Sequence, residues 1–475
     1  MKTFFNKSIS AFLLVFLIAN FVVLSGCTWK KSYPHINDVS EIVAEGYCTF
    51  SDNVKWEFHE NGTIYIFEER KKSDENKDYL RWNNYNNQIT KIVVEEGVTK
   101  LGDNSFEDCV KLTDVELPST LTIIGSAAFK GCNNLASITV PNGVTELGNS
   151  SFEKCVNLTN IDLPKTLTII GREAFKGCNN LVSITVPNGV TELGKHSFEE
   201  CVKLTDVELP STLAVIESET FKNCSSLVNV TIPNGVTEVK DRVFFACEAL
   251  ETIVFPDSIV AIGSHFMANC SNLKSVRMPE ELDNIPSNAF YECRKLESVN
   301  IPGKAFTIND RAFMYCESLK EITIPDTVTS IEDFAFYDCI SITECKLPQG
   351  LLKIGDSAFS GCTEISGAIV LPETVSELSS RAFGKCSNLE SVTVLCPVEN
   401  LNEYLFGSCG SLKQISIPNT VTYIDINVFY ECNNLSDIYY EGTEKEWKSI
   451  KIDSSNSVIS SNMIHYNSPV PTDYN

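Results

Sequence analysis

The sequence is poor in the residues and patterns that build most catalytic and metal sites. Only five histidines occur in 475 residues, and none belongs to an H-E-x-x-H pattern. The sequence also contains neither a G-x-S-x-G nucleophile turn nor a phosphate-binding glycine loop. We therefore expect no enzyme, no cofactor and no metal site. The histidines are scattered along the chain: His35, His59, His196, His265 and His465.

Basic residues are also in short supply. The chain has 38 lysines and arginines against 62 aspartates and glutamates, which gives a formal net charge of −24. A surface this acidic repels phosphate backbones and is not attracted to anionic lipid. Nucleic acid is therefore not an expected partner, and electrostatic docking on a membrane is disfavoured.

Long apolar runs are absent except near the start of the chain. Residues 11–24 are apolar apart from Asn20, and they follow the basic residues Lys2 and Lys7. This run is too short to span a bilayer comfortably and predicts an export signal. The motif that follows, Leu24 to Cys27, resembles a bacterial lipobox. The resemblance implies cleavage before Cys27 and lipid attachment to its thiol, so that any membrane contact is through this lipid.

Cysteine, in contrast, is abundant, with 19 in the chain. Twelve of them follow one another at intervals of 23 residues, and three more continue the series after one inserted residue. A phenylalanine stands three residues before each, except at Met267, and Leu or Ile stands three residues after each. These fifteen repeat cysteines are Cys109, Cys132, Cys155, Cys178, Cys201, Cys224, Cys247, Cys270, Cys293, Cys316, Cys339, Cys362, Cys386, Cys409 and Cys432.

The repeat has the pattern C-x2-L-x2-V-x-L-P-x2-L-x2-I-G-x3-F-x2-C. The V-x-L part alternates with period two and predicts a short strand, which the following proline ends. The glycine that precedes the phenylalanine is expected to permit a tight bend, and the stretch before the cysteine to form one helical turn. A single unit has too few apolar residues to bury a core, so stacked units must bury it together. The fold class is thus α/β or mostly β: a repeat solenoid of about 15 units with parallel strands.

The full pattern resembles the BspA-like leucine-rich repeat over about residues 89–440. That resemblance implies a right-handed leucine-rich repeat superhelix. Gly46 to Phe67 resembles the N-terminal cap of that family, and Tyr439 to Ile452 resembles its C-terminal cap. Thr443 and Glu446 predict a capping box in the latter, and Trp447 is placed to close the end of the core.

These features divide the chain into six parts. We expect a signal peptide at 1–26, an anchor and tether at 27–44, an N-terminal cap at 45–88, the repeat array at 89–438, a C-terminal cap at 439–466 and a flexible tail at 467–475. One unit departs from the pattern, since a residue inserted near Gly367 moves Ile369 and Leu371 into the core positions. A β-bulge is the expected accommodation.

Three roles remain open for the repeat cysteines. Zinc needs ligands that converge, commonly from C-x2-C pairs, and the chain has none. Disulfides between neighbouring units are within reach, although their number is odd and their side chains point in parallel. Packing as a small buried side chain with a weak S–H donor is favoured. Cys345 stands at an inward strand position, whereas Cys48 and Cys396 have no evident partner.

The outward strand positions form a ribbon of acidic, amide and hydroxyl side chains. Repeat solenoids bind partners along such extended surfaces, and an acidic strip favours a basic or polar partner. A purely solubilising role accounts for the same composition equally well. The candidate ligand-face residues are Asp114, Glu116, Thr139, Asn160, Asp162, Thr185, Asp206, Glu208 and Thr231.

The sequence thus predicts an exported, lipid-anchored surface protein that binds macromolecules. The family resemblance adds adhesins, whose partners are host matrix or plasma proteins or other microbial surface components. An envelope scaffold and a polysaccharide-binding module are the alternatives. Aromatic residues on the outward strand face would favour polysaccharide, but only Tyr439 stands there.

Overall fold

The computed structural model describes residues 40–48, 53–68 and 82–468. They form a parallel β-solenoid of about 16 turns of roughly 23 residues, as the repeat predicts. Each turn, or rung, is joined to its neighbours by three sets of hydrogen bonds: two series of short strands and a series of turns. The export signal and Cys27 lie outside the described residues.

The first strand series carries the V-x-L residues, and it defines the strand face. Its middle residue points into the core, as at Ile161, while the residues on either side, Asn160 and Asp162, are exposed. Neighbouring strands pair in parallel, residue for residue. The strands are Asp114–Glu116, Ser137–Thr139, Asn160–Asp162, Ser183–Thr185, Asp206–Glu208, Asn229–Thr231, Thr252–Val254, Ser275–Arg277, Ser298–Val299, Gly367–Leu371, Leu389–Val394, Gln414–Ile417, Asp437–Tyr440 and Ile464–His465.

The second series consists of two-residue strands that also pair in parallel. Threonines beside it reinforce the stacking, since the hydroxyl of Thr122 donates to the carbonyl of Thr99 at 2.9 Å and Thr168 donates to Thr145 at 3.0 Å. The strands are Lys100–Leu101, Ile123–Ile124, Glu146–Leu147, Ile169–Ile170, Glu192–Leu193, Val215–Ile216, Glu238–Val239, Ala261–Ile262, Asn284–Ile285, Thr307–Ile308, Ser330–Ile331, Lys353–Ile354, Glu377–Leu378, Asn400–Leu401, Tyr423–Ile424 and Lys451–Ile452.

The prediction of a helical turn before each cysteine is wrong. We call the segment from five residues before each cysteine to the cysteine itself the turn side. Its N–H groups donate alternately to a carbonyl of the next rung and to the carbonyl three residues earlier in the chain. The Phe129 N–H donates to Ser151 O at 2.8 Å, and the Cys132 N–H donates to Phe129 O at 3.1 Å. Left-handed residues such as Ala127 (φ 52°) and Gly131 (φ 72°) recur five residues and one residue before every repeat cysteine. Inter-rung bonding therefore replaces the i→i−4 bonding of a helix.

The glycine that recurs between units of the repeat does not form the predicted tight bend. Gly171 does not have a positive φ. A Cβ built there would lie 2.7 Å from both Asn149 N and Gly148 C in the preceding rung. Glycine is required because neighbouring rungs approach closely at this point.

A column of stacked aromatic rings runs through the core. Phe129, Phe152 and Phe175 stack at 5.3 and 5.6 Å between ring centres, with interplanar angles of 9° and 4°. Trp82 closes the start of this column by stacking on Phe106 at 5.6 Å. Where Met267 replaces phenylalanine, Phe255 and Phe266 fill the space with edge-to-face contacts.

Distinct structures cover the two ends of the array. At the start, strands β1 (Ile42–Tyr47), β2 (Val54–His59), β3 (Thr63–Glu68) and β4 (Lys91–Val94) form one sheet with Asp114–Glu116, and a 3₁₀ helix spans Trp82–Tyr85. At the other end, helix α1 (Glu444–Trp447) has the predicted capping box, with Trp447 buried against Tyr440, and a second 3₁₀ helix spans Ser461–Met463.

The strand face is interrupted in the second half of the array. Residues 321–324 and 343–347 form no strand, and the N–H groups of residues 321–324 and 344–347 make no hydrogen bond within the described residues. Cys345 lies in this region and is half-buried against the core. The series resumes at Gly367–Leu371, where the predicted bulge is confirmed by a register shift between Gly367 and Ala368, with Ile369 and Leu371 buried.

Candidate functional site

The strand face exposes all nine candidate residues, because each flanks an inward apolar residue of its strand. Strand pairing aligns them in two columns, so that Asn160 follows Ser137 and Asp206 precedes Asn229 along the solenoid. The predicted placement is therefore confirmed, but their electrostatic surroundings differ from one rung to the next.

The first acidic pair, Asp114 and Glu116, is partly compensated by one lysine next to the start of the array. Lys91 on β4 lies 3.1 Å from Asp114 Oδ2 and also contacts the carboxylate of Glu116. Hydrogen bonds to Glu116 and Asp114 raise the pKa of Lys91, so it stays protonated at neutral pH. The end of the ribbon nearest the cap is thus an ion-pair cluster.

Five of the nine candidates line one open groove of about 980 Å³: Asn160, Asp162, Thr185, Glu208 and Thr231. Lys165, Ser183, Asn188 and Ser211 add further polar groups, and the floor is apolar. Asp114, Glu116, Thr139 and Asp206 lie outside its lining. The geometry therefore narrows the ribbon to the rungs between residues 160 and 233.

The three acidic candidate residues of these rungs, Asp162, Asp206 and Glu208, have different partners. Asp206 accepts hydrogen bonds from Thr205 at 2.6 Å and from Asn229 at 2.8 Å, and these lower its pKa. Glu208 accepts one hydrogen bond from Thr185 at 3.1 Å. The Asp162 carboxylate makes neither a hydrogen bond nor an ion pair within the part of the chain that the structure describes. Asp162 and Glu208 are consequently the carboxylates best placed to meet a ligand in the groove.

The repeat cysteines form a ladder of thiol donors inside the core. Cys178 Sγ lies 3.2 Å from Phe152 O in the preceding rung, and the same contact recurs at every repeat cysteine after Cys109. Every cysteine in the described residues is unpaired, and the repeat cysteines are buried. Burial raises the pKa of Cys178 well above its ordinary value, which keeps the thiol protonated as a donor. The structure thus agrees with packing and S–H donation.

One cluster on the turn side contains residues that could bind a metal ion, but two lysines already neutralise its carboxylates. His196 Nδ1 lies 2.9 Å from Glu199 and 3.4 Å from Glu219. Lys176 and Lys222 lie 2.8 and 3.1 Å from Glu199, and although burial alone would raise its pKa, these lysines lower it. The ammonium groups already supply the positive charge that a metal would bring, so the cluster is better explained as an ion-pair network.

The histidines of the turn side are not freely solvated. His196 and His265 are both half-buried, and His265 Nδ1 is buried without a hydrogen-bond partner within the described residues. Burial lowers the pKa of His265. His59 is buried in the N-terminal cap, where Ser40 contacts its Nδ1 at 3.1 Å.

Sequence reasoning missed an aromatic cluster, because it looked for aromatic residues only on the strand face. Tyr439 does lie there, half-buried and stacked on His465 at 4.8 Å. The larger group is on the turn side and includes Tyr291, Tyr315 and Tyr337. Comparing one repeat position down the array would have revealed it.

No helix among the described residues is long and apolar enough to cross a membrane. Among curated proteins, none matches this sequence. Among solved structures, a leucine-rich repeat protein from Bacteroides ovatus is 27% identical, with a TM-score of 0.63 over 85% of this chain and 97% of that one.

Two further leucine-rich repeat structures are also similar. One, from Eubacterium ventriosum, is 22% identical, with a TM-score of 0.46 over 68% of this chain and 96% of that one. The other, described as a cell surface protein of Faecalibacterium prausnitzii, is 24% identical, with a TM-score of 0.40 over 85% and 97%.

A family model matches the repeat array. The model for the BspA type leucine-rich repeat region matches residues 83–205, 191–319, 306–436 and 366–469. These ranges overlap and together extend over most of the chain, including all fifteen repeat cysteines. The fold and the family are both those of repeat scaffolds. The chain belongs to the BspA type leucine-rich repeat family.

Proposed function

We propose that this chain is an exported surface protein whose strand face binds a protein of host or microbial origin. The observation that carries the proposal is the groove across residues 160–233, where several polar candidates line one continuous surface. A solenoid suits this role because its stacked rungs hold the side chains in fixed register. Binding then requires little ordering of the groove.

The chemistry of the groove favours a partner with basic and hydrogen-bonding groups. Asp162 and Glu208 supply negative charge, Lys165 is the one basic side chain in its lining, and hydroxyl and amide groups fill the spaces between them. The whole chain adds a long-range field of the same sign, with its formal charge of −24. Such complementarity increases association rate and specificity more than affinity.

The class of partner is taken from the family resemblance. Host matrix proteins, host plasma proteins and other microbial surface components are the partner classes it implies, which makes the function adhesin-like. Nucleic acid does not fit the charge of the chain.

The proposal also includes attachment to the cell. Residues 1–26 would direct export, lipid on Cys27 would anchor the protein, and residues up to about 44 would form the tether. Palmitate labelling should mark the wild-type protein and disappear in Cys27→Ala. Labelling that persists in the variant would remove the lipid anchor from the proposal.

The binding proposal is tested with the purified protein on an array of matrix proteins, plasma proteins, glycans and bacterial surfaces. We expect binding to a protein that weakens with salt and in the Asp162→Asn/Glu208→Gln variant. Asp114→Asn/Glu116→Gln is the matched control, because it removes the same number of carboxylates from a place where both are already paired with Lys91. Equal loss in both variants would assign binding to overall charge, and no binding on the array would refute the proposal.

A further inference from the structure

The surface chemistry of the turn side changes abruptly along the array. Two residues before each cysteine, the first six units alternate between acidic and basic residues: Glu107, Lys130, Glu153, Lys176, Glu199 and Lys222. Ion pairs join neighbours in this column, such as Lys130 with Glu153 at 3.1 Å. The next five units carry apolar or aromatic residues at the same position, which we name the turn-side stripe: Phe245, Ala268, Tyr291, Met314 and Tyr337.

A cluster of tyrosines stands at the end of this stripe. Tyr315 lies between Tyr291 and Tyr337, with ring centres 6.0 and 5.8 Å apart and interplanar angles of 71° and 89°. All three rings are half-buried. Tyr315 has a φ of 63°, and the residue before each of the other repeat cysteines also has a positive φ. This backbone conformation therefore belongs to the repeat, and it is the grouping of three tyrosine rings that sets these units apart.

The cluster contains one carboxylate without a direct partner. Asp338 follows Tyr337, its N–H donates to Ser360 O at 2.8 Å, and its carboxylate makes neither a hydrogen bond nor an ion pair within the described residues. Its carboxylate lies against Gly361, where an added Cβ would be 1.9 Å from Oδ1. Burial raises the pKa of Asp338 by more than the ammonium group of Lys385 lowers it. A positive group placed beside it would therefore relieve an existing electrostatic cost.

Two basic residues lie near the cluster, and neither forms an ion pair with Asp338: Lys385 acts on it only at longer range, and Arg294 is paired elsewhere. Arg294 contacts Glu292 at 3.3 Å and also Glu317, while its guanidinium carbon lies 5.7 Å from the ring centre of Tyr315. This arrangement shows that the cluster accommodates a cation beside an aromatic ring. It also leaves Asp338 without a partner of its own.

We propose that Tyr315, Tyr337 and Asp338 bind a lysine or arginine side chain of a protein partner. The aromatic rings would contact the cation and its aliphatic stem, and Asp338 would pair with its charge. Tyr291 and Met314 would bury the apolar residues beside it. Tyrosine, phenylalanine, methionine and arginine are also the residues enriched in the centres of protein interfaces. This second site is independent of the strand-face groove, so either can fail without the other.

A local explanation accounts for only part of this arrangement. Asp108 occupies the same repeat position as Asp338 and lies against Gly131, with 2.2 Å between its Oδ1 and an added Cβ. The position of the carboxylate is therefore set by the repeat. The tyrosines occur around Asp338 and not around Asp108, so Asp108→Asn provides a matched control.

The test selects a random-sequence peptide library displayed on phage against the immobilised full-length protein. We expect enrichment of peptides in which lysine or arginine is flanked by apolar residues. Binding of the selected peptides should weaken about tenfold in Asp338→Asn and in Tyr337→Ala, and remain unchanged in Asp108→Asn. Unchanged thermal unfolding of Asp338→Asn would show that its effect is not a folding defect.

Several outcomes would overturn the proposal. Selected peptides without basic residues, equal binding to Asp338→Asn, or no enrichment over the bare support would each do so. Binding to an array of neutral glycans is measured in parallel, to distinguish a saccharide ligand from a basic side chain. If glycan binding, rather than peptide binding, is lost in Tyr337→Ala, the stripe recognises saccharide and the assignment to a basic side chain is wrong.

Discussion

The thiol ladder makes a prediction that separates hydrogen bonding from packing. Cys178 is fully buried, and its Sγ lies 3.2 Å from Phe152 O. Cys178→Ala removes the sulfur and leaves a small cavity, which should cost about 2 kcal/mol of unfolding free energy. The Phe152 carbonyl still accepts the Cys155 N–H at 3.1 Å, so the substitution leaves no backbone group unpaired.

Cys178→Ser distinguishes the two contributions. Serine is smaller than cysteine and polar, but its hydroxyl can donate to the same carbonyl and thus avoid the penalty for an unpaired buried group. We therefore expect Cys178→Ser to be destabilised by about 1 kcal/mol, less than Cys178→Ala. If the thiol served packing alone, the order would reverse, because alanine would bury no polar atom.

Urea unfolding followed by circular dichroism measures the difference, with hydrogen exchange at the neighbouring rungs as a local readout. The local readout matters because long repeat arrays depart from two-state unfolding. Cys109 is the internal control, since its sulfur donates to no carbonyl within the described residues. Serine should have no advantage over alanine there. An advantage of equal size at both sites would refute the hydrogen-bond explanation.

Four further predictions concern other positions of the array. Gly171→Ala should destabilise by about 2 kcal/mol or more because its Cβ would meet Asn149 and Gly148, whereas Gly303→Ala, which has nothing within 4 Å, should be nearly neutral in the same melts. Alkylation of denatured, unreduced protein should label nearly all fifteen repeat cysteines, and substantial protection would reveal disulfides. Amides of residues 321–324 and 344–347 should exchange faster than those of the strands from Ser183 to Thr231, and equal protection would contradict the interruption. Finally, the pKa of Glu199 is lowered in the folded protein, so its ionised form stabilises the fold at pH values above the ordinary glutamate range. Unfolding free energies measured against pH should show Glu199→Gln less stable than the wild type at neutral pH. The two stabilities should converge as the pH falls through the folded-state pKa of Glu199.

The repeat pattern predicted the fold because every unit has the same strand-forming alternation and the same shortage of apolar residues. The alternation around Val115 and Leu117 predicts a strand wherever it occurs, and Pro118 predicts its end. Stacking then follows from too few apolar residues per unit. The capping box was predictable from local sequence, since Thr443 and Glu446 stand three residues apart where the repeat stops.

The errors arose where a residue interacts with the neighbouring rung rather than with its own sequence neighbours. A glycine such as Gly171 suggests a bend when it is considered within one unit, yet the preceding rung is what excludes a side chain there. The turn before Cys132 resembles a helical turn in composition, but its N–H groups donate to the next rung. Local propensity contains no information about these contacts.

The same reasoning explains which parts of the candidate sites were visible in the sequence. The ribbon of outward residues follows from alternation within each strand. That Lys91 compensates one acidic pair, while Asp162 in a later rung remains unpaired, depends on cap docking and on the identity of adjacent rungs. In a solenoid, two residues that are 23 apart in sequence can be neighbours in space, so a site is a column across units. The change from alternating charge to the turn-side stripe is such a column property, and it distinguishes Asp338 from Asp108 although both occupy the same position in the repeat.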